Sequence, residues 1–329
     1  MESLHTGVTM RKSLAILLIA AILIGSIIAY EYQLSRSEQL TGTITVSGAF
    51  ALYPMMVMWA GEFQKIHPNV RIDVSAGGAG KGMADALGGL VDIGMVSRSI
   101  SPAEIQKGAF YVVVAKAGAV VTINANNPAL ADLLAKGVTR STFMGIFIFG
   151  NVTTWGQVVG RPSMTDPINV YTRSDSAGVA DAWASYLGNH IQADLKGVGV
   201  NGDPGLVQAV QNDRLGIGYN NLNFAYDNKT GKPVEGISII PLDLNGNGKI
   251  DANEDFYASK DKLVGAVASG AYPEPPTMEL YLVTKGNFTG LTKDFVRWIL
   301  TDGQRFELEN GYVPLSSAIV ADQLSKIGQ

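Results

Sequence analysis

Between Asp243 and Glu254 the chain places oxygen-bearing side chains at a regular spacing: Asp243, Asn245, Asn247, Asp251 and Glu254, with Gly248 in the middle. A hard cation such as Ca2+ takes about six to eight oxygens, and this pattern can supply them. Asp243, Asn245 and Asn247 each offer a side-chain oxygen. The Lys249 carbonyl adds another, a bidentate Glu254 completes the set, and Asp251 acts directly or through water. Gly248 permits the sharp turn, and Ile250 is expected to point back to a core. The residues before the loop, "EGISIIPL", are β-branched and include Pro241, so no helix enters it. With one loop and no entering helix, a calcium-opened helix pair is not expected. The spacing predicts a structural Ca2+.

A second set of residues suits an anion. Arg173 lies in "TRSDSAG", and Ser97 and Arg98 lie in "GMVSRS". A guanidinium fork matches the geometry of an oxoanion. The stretch "SAGGAGKG" is close to a nucleotide-binding P-loop, but Ser75 stands where the first glycine belongs. Gly82 follows Lys81 where a hydroxyl should hold magnesium, so nucleotide hydrolysis is not expected. The chain has no cysteine. Its histidines, His5, His67 and His190, fall outside these loops, and no nucleophile–base pair or histidine metal cluster is visible. An enzyme is therefore not expected, and a phosphatase or other hydrolase is the alternative.

These residues need elements to position them, and one pattern recurs three times: β-branched run, small-residue loop, helical run. Strand Thr43–Val46 leads through the loop 47–51 to a helix with Pro54 in its first turn. Strand Val70–Val74 leads through the glycine loop to a helix over 82–87. Strand Ile168–Tyr171 leads through the loop 173–178 to a helix over 179–187. A long helix is expected from Leu291 to near Gly311. Repeated strand–helix units indicate an α/β sheet. In such sheets ligands bind beyond the carboxyl ends of the strands, where helix N-termini present free N–H groups and a positive dipole end. Three such loops can converge on one tetrahedral anion.

Composition bounds the rest. The chain has 329 residues, 47% of them apolar, and a formal net charge of −4, which allows two lobes and argues against nucleic-acid binding. Arg11 and Lys12 precede an uncharged run from Ser13 to Tyr30, long enough to span about 27 Å as a helix. Charge before the run and Glu31 after it predict a cytoplasmic start and an external body. Ile28-Ala29-Tyr30 is a poor cleavage site, which favours a retained membrane anchor over a cleaved signal.

Taken in order, "SGAFALYP", "SAGGAGKGMADALGGLVDIGMVSR", "TRSDSAGVADAWASYLG", "GIGY", "LYLVTKG" and "NGYVPL" resemble the phosphate-binding proteins of ABC transporters, over roughly residues 41–325. The resemblance implies an α/β, two-lobed periplasmic-binding-protein type II fold with two hinge crossovers, preceded by the hydrophobic helix. It implies residues 1–40 as leader and linker, 41–122 plus 283–329 as lobe one, and 123–282 as lobe two with the calcium loop at 243–254. It also implies a monomeric solute-binding protein, anchored outside the cytoplasmic membrane or secreted, that delivers a small oxoanion to ABC permease subunits. A sensory or adhesion module on the same fold is a further alternative. Hinge closure over the ligand is the expected motion.

Carried over residue by residue, the family's first-loop hydroxyl falls on Phe50, followed by Ala51 and Leu52. None offers a side-chain donor, so only their backbone N–H groups serve. The second-loop serine falls near Gly78, beside Ala79. The family's phosphate-sensing aspartate falls on Ser97, followed by Arg98. Arg173 and Gly178 match the third loop, whereas its serine and threonine become Ala177 and Val179, leaving Ser176 as the nearest hydroxyl. A carboxylate would accept the proton of hydrogen phosphate and repel sulfate. Ser97 can donate or accept, so selectivity among phosphate, sulfate, molybdate and tungstate stays open at this level.

Overall fold

The computed structural model describes residues 40–328. The hydrophobic run at 13–30 lies outside them. Among the described residues no helix is long and apolar enough to cross a membrane.

Among the described residues nine strands carry the body: β1 (Gly42–Gly48), β2 (Val70–Ala76), β3 (Ile93–Val96), β4 (Ala109–Asn124), β5 (Asn169–Arg173), β6 (Val198–Val200), β7 (Gly216–Asn221), β8 (Ile237–Ile240) and β9 (Thr277–Lys285). Their order is β2-β1-β3-β9-β4-β7-β5-β6, with β8 also on β4. β1 runs parallel to β2 and β3, and β5 runs parallel to β6 and β7. Each parallel set is joined through crossover helices, as strand–helix alternation requires.

β4 makes the fold two-lobed. Its sequence, AFYVVVAKAGAVVTIN, is apolar and β-branched along almost its whole length, as suits a strand covered on both faces. From Ala109 to Gly118 it pairs with β9; from Ala119 onward it pairs with β7, and β8 joins from Val121. β9 pairs with β4 from its first residue, Thr277, and with β3 from Tyr281 to Val283.

Each lobe has its own aromatic core. In the first, Phe63 lies 5.0 Å from Phe295 and 5.5 Å from Trp298. In the second, Trp183 lies 5.2 Å from Phe143 and 5.6 Å from Phe147. The helix Tyr53–Ile66 has Pro54 in its first turn and buries Met55, Met56, Trp59, Ala60 and Phe63 on one face. Complete burial of side chains such as Phe63 and the two methionines contributes about 1.5–3 kcal/mol each. The helix expected to run to Gly311 ends at Leu300 instead, and a short 3-10 turn, Asp302–Phe306, follows. The break lets the Gly303 carbonyl accept a hydrogen bond from Trp59 Nε1 at 2.9 Å, a tertiary contact that overrides local helix preference.

Candidate functional site

The loops after β1, β2, β3 and β5 meet at one place. β1 turns at Gly48, whose φ is +137°, and its carbonyl accepts the N–H groups of Gly77 and Gly78. A side chain at Gly48 would meet the Met95 carbonyl at 2.2 Å, so only glycine lets the β1 and β3 ends approach this closely. Gly78, with φ +91°, sends the chain into the helix Ala79–Gly88, which starts earlier than the predicted 82. β5 ends at Arg173, and the helix Gly178–Tyr186 begins five residues later. The first-turn N–H groups of both helices lack intrahelical acceptors and carry the positive end of the helix dipole.

Phe50, Ala51, Gly78, Ala79, Ser97, Arg173, Ala177, Gly178 and Val179 all line one narrow, tightly closed cavity. Three residues expected there line it nowhere. Leu52 is fully buried in the core behind it. Arg98 turns to Glu104, with Nη2–Oε1 at 2.7 Å and Nη1–Oε2 at 3.0 Å. That pairing holds the Glu104 carboxyl down at about 2. Ser176 is exposed, and its carbonyl accepts the Gly80 N–H at 3.5 Å.

Arg173 is the charged centre of the cavity, and its side chain is almost wholly buried. Its Nε donates to Asp175 Oδ1 at 2.8 Å and its Nη2 to Asp175 Oδ2 at 2.5 Å. Its Nη1 donates to Asp203 Oδ2 at 2.7 Å. The guanidinium carbon stands 5.4 Å from the centre of the Phe50 ring, within cation–π reach. Burial works against the charge, but Asp203 and Asp175 outweigh it and raise the Arg173 pKa above its ordinary value. Burial likewise pushes the Asp175 carboxyl up, and the hydrogen bonds and charge of Arg173 overcome this, leaving it lowered.

Two further residues line the cavity that the sequence reading missed, Asp203 and Asn221. Asp203 opens the helix Gly202–Asn212 directly after β6, a fourth strand–loop–helix unit. "VGVNGDPGLVQAV" shows that pattern and was the available signal. Asn221 ends β7, and nothing local marks it.

The lobes touch at this cavity. A Cβ added to Gly178 would lie 1.8 Å from the Ser97 carbonyl oxygen, and one on Gly202 would lie 2.8 Å from the Phe50 ring. Ser97 directly follows the lobe-one strand β3, and Gly178 opens a lobe-two helix, so this contact needs a residue without a side chain.

The loop at 243–254 is organised differently. Asp243 Oδ1 accepts the N–H groups of Gly246 and Asn247, and Oδ2 accepts that of Gly248 at 2.9 Å. Glu254 Oε1 accepts from Leu244 and Asn245, and Oε2 from Asp251 N. Asp251 Oδ2 accepts from the amides of Asn245 and Asn247, and its Oδ1 pairs with Lys249 Nζ at 2.8 Å. Ile250 packs on the Gly137 turn, and β8 precedes the loop with no helix between. Among the described residues no three carboxylate, histidine or cysteine side chains converge as a metal-ligand set. Asp243 is 4% and Glu254 1% exposed, and no ion pair reaches either among the described residues.

Residues 35–303 match the profile of the PBP superfamily domain. The chain is 26% identical over 352 residues to the phosphate-binding protein PstS of Methanocaldococcus jannaschii, covering 90% of this chain and 87% of that one. It is 25% identical over 316 residues to the phosphate-binding protein PstS of Xylella fastidiosa, covering 86% and 85%. Among solved structures, a putative phosphate ABC transporter substrate-binding protein with bound phosphate from Clostridium perfringens superposes with a TM-score of 0.67 at 23% identity, covering 84% of this chain and all of that one. An ABC-type phosphate transport receptor from Vibrio cholerae superposes with a TM-score of 0.58 at 21% identity, covering 83% and 100%.

Proposed function

The chain belongs to the PBP superfamily, and from that premise we propose that it is the external solute-binding protein of an ABC importer, taking phosphate or a related tetrahedral oxoanion between its lobes. One observation carries the reading: four strand-end loops, two helix N-termini and the Arg173 guanidinium converge on a single small cavity. Arg173 commits three of its N–H groups to Asp175 and Asp203, and a guanidinium has five, so one each on Nη1 and Nη2 is left for a ligand. Free N–H groups at the Ala79 and Gly178 helix starts add donors that carry no counter-charge. The relatives named for phosphate binding support the same ligand class. A binder is favoured over a hydrolase because no histidine lines the cavity and its charged groups hold one another. Under this reading the protein acts as a monomer, the run at 13–30 tethers it to the membrane, and the lobes present their surface to permease subunits.

Calorimetry of the full chain in detergent against phosphate, sulfate, molybdate and tungstate tests the proposal. One-to-one binding of at least one of these anions is expected. Heat from none of them would overturn it.

The loop at 243–254 supports a second, independent role as a structural Ca2+ site. Two nearly fully buried carboxylates without an ion pair, Asp243 and Glu254, are the observation in its favour. Asp243, Asn245, Asn247, the Lys249 carbonyl, Asp251 and Glu254 would hold the ion, which would brace this excursion of lobe two without touching the anion. Raised melting temperature on adding Ca2+ is expected, and an unchanged one would remove the role.

A further inference from the structure

Resting on the oxoanion reading above, we infer that Asn221 selects the ligand by its proton: the site takes a tetrahedral oxoanion that still carries a hydroxyl, and rejects fully ionised ones. The orientation of the Asn221 amide is fixed by its neighbours. Its Nδ2 donates to Asp203 Oδ2 and its backbone N–H to Asp203 Oδ1, both at 2.9 Å. A carboxylate only accepts, so the nitrogen must face Asp203 and the oxygen must face away from it. That oxygen, Oδ1, is buried and has no hydrogen-bond partner. The residue is 1% exposed and lines the same cavity as Arg173.

A buried acceptor without a donor is a standing cost, relieved only when a donor arrives. Backbone N–H groups and Arg173 can satisfy the bare oxygens of any tetrahedral anion. They do nothing for Asn221 Oδ1. Sulfate, molybdate and tungstate, fully ionised at neutral pH, bring lone pairs only and would set oxygen against oxygen there. Hydrogen phosphate and hydrogen arsenate bring an O–H that can donate to it. The charges agree with this choice. The Asp175–Arg173–Asp203 cluster holds two carboxylates to one guanidinium, so among dianions of equal charge the one that can turn a hydroxyl hydrogen towards it meets less local repulsion. Ser97, at the position where relatives would place a carboxylate, is then relieved of the discriminating role.

The decisive probe is monofluorophosphate. At mildly alkaline pH it has the charge and nearly the size of hydrogen phosphate, with fluorine where the hydroxyl stands. Calorimetry on the full chain should show phosphate and arsenate binding roughly 10- to 100-fold more tightly than monofluorophosphate and sulfate, the range set by one unpaired buried acceptor. In Asn221→Ala the ratio of phosphate to monofluorophosphate affinity should fall towards one. Ser97→Ala should weaken both ligands alike and keep the ratio. Equal binding of phosphate and monofluorophosphate by the unmodified chain would overturn the inference while leaving the oxoanion reading intact, and this comparison needs no variant to fold. A ratio that survives in Asn221→Ala but collapses in Ser97→Ala would also overturn it. Failure of every anion to bind would overturn both.

Discussion

The cavity around Arg173 and the loop at 243–254 both hold carboxylates away from water, yet they satisfy them in opposite ways. In the loop every partner of the Asp243, Asp251 and Glu254 carboxylates comes from within the same short segment, mostly backbone N–H groups. In the cavity Asp203 is held by Arg173, thirty residues upstream, and by Asn221 at the end of another strand. A local arrangement can be built and lost without disturbing the fold. A tertiary one couples the charge balance of the site to the folding of the whole lobe, because removing one partner strands the others in a low-dielectric interior.

Five experiments test that contrast, in decreasing order of effect. Arg173→Met should abolish anion binding in calorimetry and also destabilise the protein by about 3–5 kcal/mol in urea unfolding, since Asp203 is left buried and uncompensated. Near-wild-type stability would show that the cavity is as locally organised as the loop. Gly178→Ala should weaken anion binding roughly 10- to 100-fold, as the new methyl meets the Ser97 carbonyl across the cleft and closure must strain. Its unfolding midpoint should move little, and small-angle scattering with saturating phosphate should show a more open body than the unmodified chain.

Chelation addresses the loop. Starting from saturating Ca2+, excess EGTA should lower the melting temperature by about 5 °C. Phosphate affinity should stay within about twofold, because distant sites without shared partners act additively. A large change in affinity would break the contrast between the two regions. The smallest effect is expected at the rim. Glu104→Gln should cost about 1 kcal/mol or less, because the pair with Arg98 is partly solvated. The Glu104 carboxyl lies at about 2 in the folded chain, below its ordinary 4.5. Its contribution is therefore fully present above the ordinary value and is lost as pH falls from there towards 2. An acid titration followed by circular dichroism should show this loss in the unmodified chain and less of it in the variant. Arg98→Ala should change anion affinity less than threefold, as a group already paired outside the cavity would.

Much of the cavity was legible in the sequence because it is made at strand ends. The loop 47–51, the glycine loop after Val74 and the loop 173–178 follow β-branched runs and precede helices, and that pattern sends them to one edge of a sheet, whereas Ser97 and the single lining positions within the loops came from the family resemblance. Arg98 lies off the cavity because a charge next to a site residue in sequence is free to choose another partner; the capping-box glutamate of the next helix, Glu104, holds it. Leu52 is a neighbour in sequence of two lining residues, but the helical turn points it into the core. Asn221 carried no local mark, since an asparagine at a strand end is usually an ordinary turn residue.

By itself the sequence determined the alternation of strands and helices, the glycines that let backbones close in, and the twelve-place loop, because each of these depends on neighbours a few residues apart. Only the tertiary structure decided that Arg173 lies between two carboxylates, that Asp203 pins the amide of Asn221, and that one buried acceptor of that amide is left without a partner. Those outcomes rest on which buried groups share a low-dielectric pocket, and chain separation carries no information about that until the sheet has formed.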